Sequence, residues 1–266
     1  MSTFKITVAY DGTDFVGWQR QASGISIQSL LEGALRDLDQ RDVSVAGAGR
    51  TDAGVHALGQ VASFSLQRSI EPAVLTRALN ARLPSAVRVV DAERAADTFH
   101  ARFDAICKIY RYRIWNADVL SPFERAYAWH VRGPLDAGAM HDAAALIAGR
   151  RDFAAFQAAG SSTTSTQREL FSSLVLRQAQ HERGGSTLAL SLSKGESLIV
   201  YDVSGSGFLR HMIRNIVGSL VEIGRGRRPV EWMTQVLEGR ARALAGPTAP
   251  PHGLVLVAVA YGLQSP

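Results

Sequence analysis

Between Lys5 and Tyr10 polar and apolar residues alternate, with Ile6, Val8 and Tyr10 on one side, and the run stops at the turn pair Asp11-Gly12. A period of two ended by a turn pair predicts a half-buried strand. The period then changes. Ile27, Leu30, Leu31, Ala34, Leu35 and Leu38 recur at helical spacing behind Ser26, a good N-cap, and predict an amphipathic helix. Residues 43–46 and 60–66 predict strands flanking a glycine-rich loop. Pro72 suits the first turn of a helix reaching residue 83, and 87–91 and 107–115 read as further strands.

A similar order then returns: strand 127–131, helix 136–148, strand 169–177, strand 198–204, helices 208–223 and 229–238, and a last strand 254–261. Two runs of strand–helix–strand–strand–helix–strand predict an α+β fold with a mainly antiparallel sheet and helices on one face. No sequence repeat is visible, so the two halves would be alike in structure and not in residues. A boundary near residues 113–125 gives a first half 1–115 and a second half 116–266. Residues 158–167 are rich in Ser and Thr, and 178–195 are polar with a Gly-Gly pair; both are expected to be mobile loops.

Of the 266 residues, 46% are hydrophobic and 20% charged, a composition that builds a core and excludes bulk disorder. The apolar stretch 253–263 is well short of the ~18 residues a spanning helix needs. Residues 1–10 lack a basic start followed by an apolar run, so no secretory leader is expected. Cys107 is the single cysteine. It can form no internal disulfide and no zinc site by itself, and a reducing, cytoplasmic compartment is expected. The 29 basic against 24 acidic residues give a net charge of +5. The excess is uneven, with Arg102, Lys108, Arg111 and Arg113 close together, then Arg210 and Arg214, then Arg225, Arg227 and Arg228. Arginine beside Tyr and Phe suits a phosphate-backbone partner, and a solvated surface would look the same by charge alone.

The stretch richest in chemistry is 46–64, AGAGRTDAGVHALGQVASF. Small residues on both sides of Arg50-Thr51-Asp52 let the backbone turn sharply and a bulky ligand approach. A carboxylate at a strand end between glycines would be aimed outward; the alternative is a turn in which Asp52 caps a helix starting at Ala53. The run is no dinucleotide fingerprint, because the third glycine is missing.

AGRTDAGVHALGQV resembles the signature of the tRNA pseudouridine synthase A family. Tyr10-Asp11-Gly12 with Gly17-Trp18-Gln19-Arg20-Gln21 resembles that family's opening. Phe99-His100-Ala101-Arg102-Phe103 with Tyr110-Arg111-Tyr112-Arg113 resembles its second motif. Phe208 with His211-Met212-Ile213-Arg214-Asn215-Ile216-Val217-Gly218 resembles its third, and Thr248-Ala249-Pro250 with Gly253-Leu254 its end. These follow one another through nearly the whole chain.

The resemblance implies an isomerase that converts uridine to pseudouridine at positions 38, 39 and 40 of the tRNA anticodon stem and loop, with no cofactor and no metal. It implies two ferredoxin-like-type halves in one mainly antiparallel sheet, an RNA-binding active-site cleft between them, and a homodimer. Asp52 would be the nucleophile, at the sugar C1′, at the uracil ring, or by removing a sugar proton; carboxylates are established nucleophiles at sugar carbons. Arg214 would be its counter-charge, or else an arginine on a helix surface. Tyr110 would stack on the uracil and its hydroxyl assist proton transfer, where plain core packing is the other reading of a strand tyrosine. Leu254 or Leu256 would give the pocket an apolar floor, and Arg50 would fill the space left by an extruded base or hold a phosphate. Arg20, Arg102, Arg111, Arg113 and Arg210 are candidates for backbone contacts. His56 and His211 read as structural or RNA-contacting, with no carboxylate at useful spacing to orient them. Against the family pattern the chain inserts about residues 176–195, expected as an exposed, poorly ordered loop that leaves the chemistry intact. The rival classes are a non-catalytic RNA-binding module and a base-removing glycosidase, the latter disfavoured for want of a second carboxylate beside Asp52.

Overall fold

The computed structural model describes residues 1–158, 163–178 and 198–262. The described residues form an α+β fold of ten strands, most of them paired antiparallel, and five α-helices. The chain divides into two compact units, Met1–Tyr110 together with the chain from Val255 onward, and Arg111–Leu254. Among the described residues no helix is long and apolar enough to cross a membrane.

In the first unit β1 (Ser2–Tyr10) lies between β3 (His56–Leu66) and β4 (Val87–Arg94), antiparallel to both. Alternation puts Phe4, Ile6, Val8 and Tyr10 on the buried face, as the period of two predicts. Phe4 stands opposite Phe64, and their rings stack at 6.1 Å. β2 is only Ala46–Gly47, displaced from the expected 43–46, and pairs with Ser63 and Ala62. β10 (Leu254–Tyr261) joins β3 in parallel, Val255 beside His56. α1 (Ile27–Asp39) starts at Ser26, whose hydroxyl accepts from the Ser29 amide in a capping box, and buries Ile27, Leu31, Ala34, Leu35 and Leu38. α2 (Pro72–Asn80) begins on its proline and buries Leu75 and Leu79.

In the second unit β8 (Gln167–Gln178) pairs with β9 (Leu198–Gly205), and β7 (Gly149–Asp152) lies along the start of β8. β5 (Ala105–Trp115) enters this unit at Arg111, and β6 is only Trp129–His130 against its end, where a five-residue strand was expected. α3 (Ala137–Ala145) is capped by Asp136, which accepts from the Ala139 amide. The two following helices start later than their apolar spacing predicts. α4 runs Met212–Gly224 because His211 stands in the left-handed region at φ 60° and cannot continue a helix backwards. α5 runs Trp232–Gly239 because Pro229 and Val230 are spent in turn hydrogen bonds to Trp232 and Met233. The expected insertion at 176–195 is corrected at its start: Leu176, Arg177 and Gln178 are strand residues paired with Val200, Ile199 and Leu198. Residues 179–195 of that expectation, and 159–162 of the expected loop at 158–167, lie outside the described residues.

One buried polar group organises α4. Asn215 is fully buried; its amide donates to the Phe156 carbonyl at 2.8 Å, and its Oδ1 accepts from Thr248 at 2.6 Å and Arg242 at 3.2 Å. Ser219, one turn on, donates to the Asn215 carbonyl and accepts from the Gly246 amide. Replacing Asn215 by Ala takes the side-chain donor from the buried Phe156 carbonyl, at about 1–3 kcal/mol. Thermal unfolding of Asn215→Ala is therefore expected several degrees below the parent protein, read by calorimetry.

Buried phenols give the fold an alkaline limit. Burial pushes Tyr10 up to about 12, against opposing hydrogen bonds from Thr51 and Gln60, and pushes Tyr112 and Tyr201 higher still. Below pH ~10 folded and unfolded chains both keep these protons. Above it the unfolded chain releases them first, so stability falls by about 1.4 kcal/mol per pH unit for each tyrosine until its folded-state pKa is passed. Denaturant midpoints should hold steady up to pH 10 and then drop steeply, which a urea series across pH 8–12 measures.

Candidate active site

The segment from Ala48 to Val55 crosses from β2 to β3 with its backbone tied at several points. The Ala48 amide donates to the Val61 carbonyl at 2.8 Å, and Gln60, fully buried, donates from Nε2 to the Gly49 carbonyl at 3.0 Å. Thr51 is held from both ends: its hydroxyl meets the Tyr10 hydroxyl at 2.9 Å, and its carbonyl accepts from the Trp18 amide at 3.1 Å. Asp52 opens a tight turn in which its carbonyl accepts from Val55, with Gly54 at φ 76°, the positive value a type II turn requires at that place. No helix starts at Ala53, so the helix-cap alternative is corrected: Asp52 is a half-buried side chain at the head of a turn into β3.

One of the small residues serves a different purpose from the one expected of it. A Cβ at Gly47 would run into the indole of Trp18, so the space is occupied by the protein's own side chain. Trp18 in turn lies 6.4 Å, ring to ring, from Tyr10. His56, just past the turn, is also better supported than the sequence suggested. Its Nδ1 accepts from the Gly12 amide at 3.0 Å, and Asp11 Oδ1 lies 3.2 Å from the same nitrogen. A carboxylate 45 residues away does lie beside it, because β1 and β3 pair Tyr10 with Ala57 and bring the two strand ends together.

Tyr110 is 5% exposed, on the same face of β5 as Tyr112 and Ile114, both fully buried. Burial pushes its phenol well above the usual range, and Tyr10, once ionised, and the Asp52 carboxylate push it further. Tyr110 thus feels the charge of Asp52, and it keeps its proton at neutral pH. Arg50 is exposed and donates from Nε to Gln19 Oε1 at 3.1 Å. Tyr10, Thr51 and Gln60 were missed as a group by sequence reasoning. The available signal was Gln60, a long polar side chain among the small and apolar residues of β3.

In the second unit Arg214 is half-buried on the first turn of α4, where its Nε donates to the Ala249 carbonyl at 2.7 Å and its own carbonyl accepts from the Ala249 amide. Its charge tells on Tyr112, whose hydroxyl donates to the Pro250 carbonyl at 2.8 Å. Leu254 is buried in this unit, and Leu256 in the first. Arg111 grips Asp202 with two bonds of 2.7 Å, and Arg113 meets Glu124 at 2.9 Å. Arg20 meets Glu32 at 3.2 Å, and Arg210 is exposed. A surface hollow of about 440 Å³, lined by Asp136, Ile223, Arg227, Arg228 and Pro229, contains none of the expected site residues. Among the described residues no three His, Cys, Asp or Glu side chains gather as a metal ion would need.

The family model described as tRNA pseudouridine synthase matches residues 6–104 and 143–262. The tRNA pseudouridine synthase A of Syntrophotalea carbinolica is 43% identical over 264 residues, 99% of this chain and 98% of its own. That of Myxococcus xanthus is 46% identical over 261 residues, 98% of this chain and 92% of its own, and that of Geobacter sulfurreducens 42% over 261 residues, 98% and 100%. The likeness runs through both compact units, and the chain belongs to the tRNA pseudouridine synthase family, as an isomerase acting on tRNA.

Proposed function

We propose that this chain converts uridine to pseudouridine at positions 38, 39 and 40 of the tRNA anticodon stem and loop, with Asp52 as the nucleophile and no cofactor. What supports the reading is the presentation of Asp52: a half-buried carboxylate at the head of a turn, directly after a Thr51 held by both hydroxyl and carbonyl and two residues before a Gly54 whose amide donates to the Phe15 carbonyl. The reaction breaks the N1–C1′ bond, turns the uracil, and joins C5 to C1′; N1 gains a proton and C5 loses one. Atoms and electrons balance within the nucleoside, so no second substrate is consumed. The target must leave its stack first, at a cost of a few kcal/mol that is smallest for loop bases.

The remaining roles follow from the family resemblance and the local chemistry. Tyr110 packs against the uracil. With its phenol held protonated, it is a hydrogen donor at neutral pH and not a base. Arg50, exposed beside Asp52, takes the vacated position or the adjacent phosphate. Leu254 supplies apolar surface, and Arg214 is the counter-charge that the third motif assigns. Two ferredoxin-like-type halves, a homodimeric assembly and a cytoplasmic site of action complete the reading.

Asp52→Ala should keep tRNA affinity and lose pseudouridine formation to background, measured by mapping pseudouridine in tRNA incubated with each protein. Retained activity would end the proposal, and release of free uracil would turn it into a glycosidase. Tyr110→Phe keeps the packing surface and removes the donor. It should bind tRNA as well as the parent and turn over about 10²-fold more slowly, the lower end of what a positioned proton donor contributes. The parent's rate should show no loss from phenol ionisation below pH 10.

A further inference from the structure

The first unit presents one aromatic ring almost wholly to solvent. Phe103 is 75% exposed, and its loop, residues 99–104, is not loose. The Phe103 and Asp104 amides donate to the His100 carbonyl at 3.2 and 3.1 Å, and the His100 amide donates to Asp104 Oδ2 at 2.8 Å. His100 Nδ1 accepts from the Arg102 and Phe103 amides at 3.1 and 3.3 Å. Below, the Ala101 amide donates to Ser63 Oγ at 3.0 Å, and the Tyr261 hydroxyl donates to the Ala101 carbonyl at 2.7 Å. A loop with its backbone so fully committed holds Phe103 outward by construction.

The ring's surroundings select a partner. His100 backs it at 4.3 Å between centroids, and the Arg102 guanidinium lies 5.8 Å from its centre. Among the described residues no carboxylate pairs with Arg102. Phe99 and Ala101 share a buried cluster with Ala48 and Val61, so the loop is packed onto the start of the segment that carries Asp52. The aliphatic chain of Lys108 runs beside Gly49 in that same segment. An open aromatic face with arginine and histidine beside it fits a flat, anionic polymer better than an apolar protein surface.

We propose that residues 99–104 form a base-stacking platform: Phe103 stacks on an unstacked base of the bound tRNA beside the target, and Arg102 takes the neighbouring phosphate. The proposal rests on the reading that the anticodon arm is the bound region, and it does not depend on what Asp52 does.

Full-length parent protein, Phe103→Leu and Phe103→Trp are compared with tRNA carrying 2-aminopurine in the anticodon loop. Loss of one base–aromatic stack corresponds to about 5- to 150-fold in affinity. Phe103→Leu should raise Kd and KM by that factor, leave kcat within about twofold, and abolish the stacking-induced quenching of 2-aminopurine. Phe103→Trp should restore both. Parent-like Kd in Phe103→Leu, equal loss in both variants, or quenching that persists without the ring would overturn the proposal. So would a loss explained by a changed oligomeric mass in Phe103→Leu, since the ring would then serve a second copy of the chain. A Phe103-dependent Kd in a protein that forms no pseudouridine would leave the platform standing and remove the isomerase reading of the site. Pseudouridine formed by Phe103→Leu at parent Kd would do the reverse.

Discussion

Two rotatable bonds separate the carboxylate of Asp52 from its backbone, so the group can be placed no better than the main chain beside it. That placement depends on Thr51. Its hydroxyl is bound by Tyr10, which closes β1, and its carbonyl by the amide of Trp18. The register of β1 against β3 fixes where Tyr10 ends up, so the geometry of the turn is inherited from the sheet. Both Tyr10 and Thr51 are buried, where a polar group that loses its partner costs about 1–3 kcal/mol. The penalty for letting go is what keeps the loop in a single arrangement.

The second unit solves a comparable problem with a helix. The chain from Arg242 to Gly253 has only two short 3-10 turns, and irregular backbone near a core must find partners for its amides and carbonyls. α4 supplies them from one side: Arg214 exchanges two bonds with Ala249, Asn215 accepts from Thr248, and Ser219 accepts from Gly246. A run of otherwise apolar residues thus carries polar groups at the places where a neighbouring segment lacks hydrogen-bond partners.

Local patterns were legible in the sequence. The alternation of β1 and of Tyr110, Tyr112 and Ile114 came through, as did the capped, amphipathic α1, because each is decided by residues a few positions apart. What failed was decided at a distance or by a single dihedral. His56 meets Asp11 only because two strands pair. α4 begins four residues late because one histidine adopts a left-handed conformation. β7, reading Gly-Arg-Arg-Asp, has no apolar alternation to announce it, since a strand at an edge need bury little. The motif around Asp52 marked the right segment, yet the room left by Gly47 is taken by Trp18, which no local spacing predicts.

That short edge has a consequence for the protein at high concentration. Four residues offer few unsatisfied backbone groups, and Arg150 and Arg151 stand exposed along them. A second copy trying to extend the sheet there would set guanidinium against guanidinium, a repulsion that discourages edge-to-edge aggregation. Any self-association of this chain is thereby steered toward surfaces other than this edge.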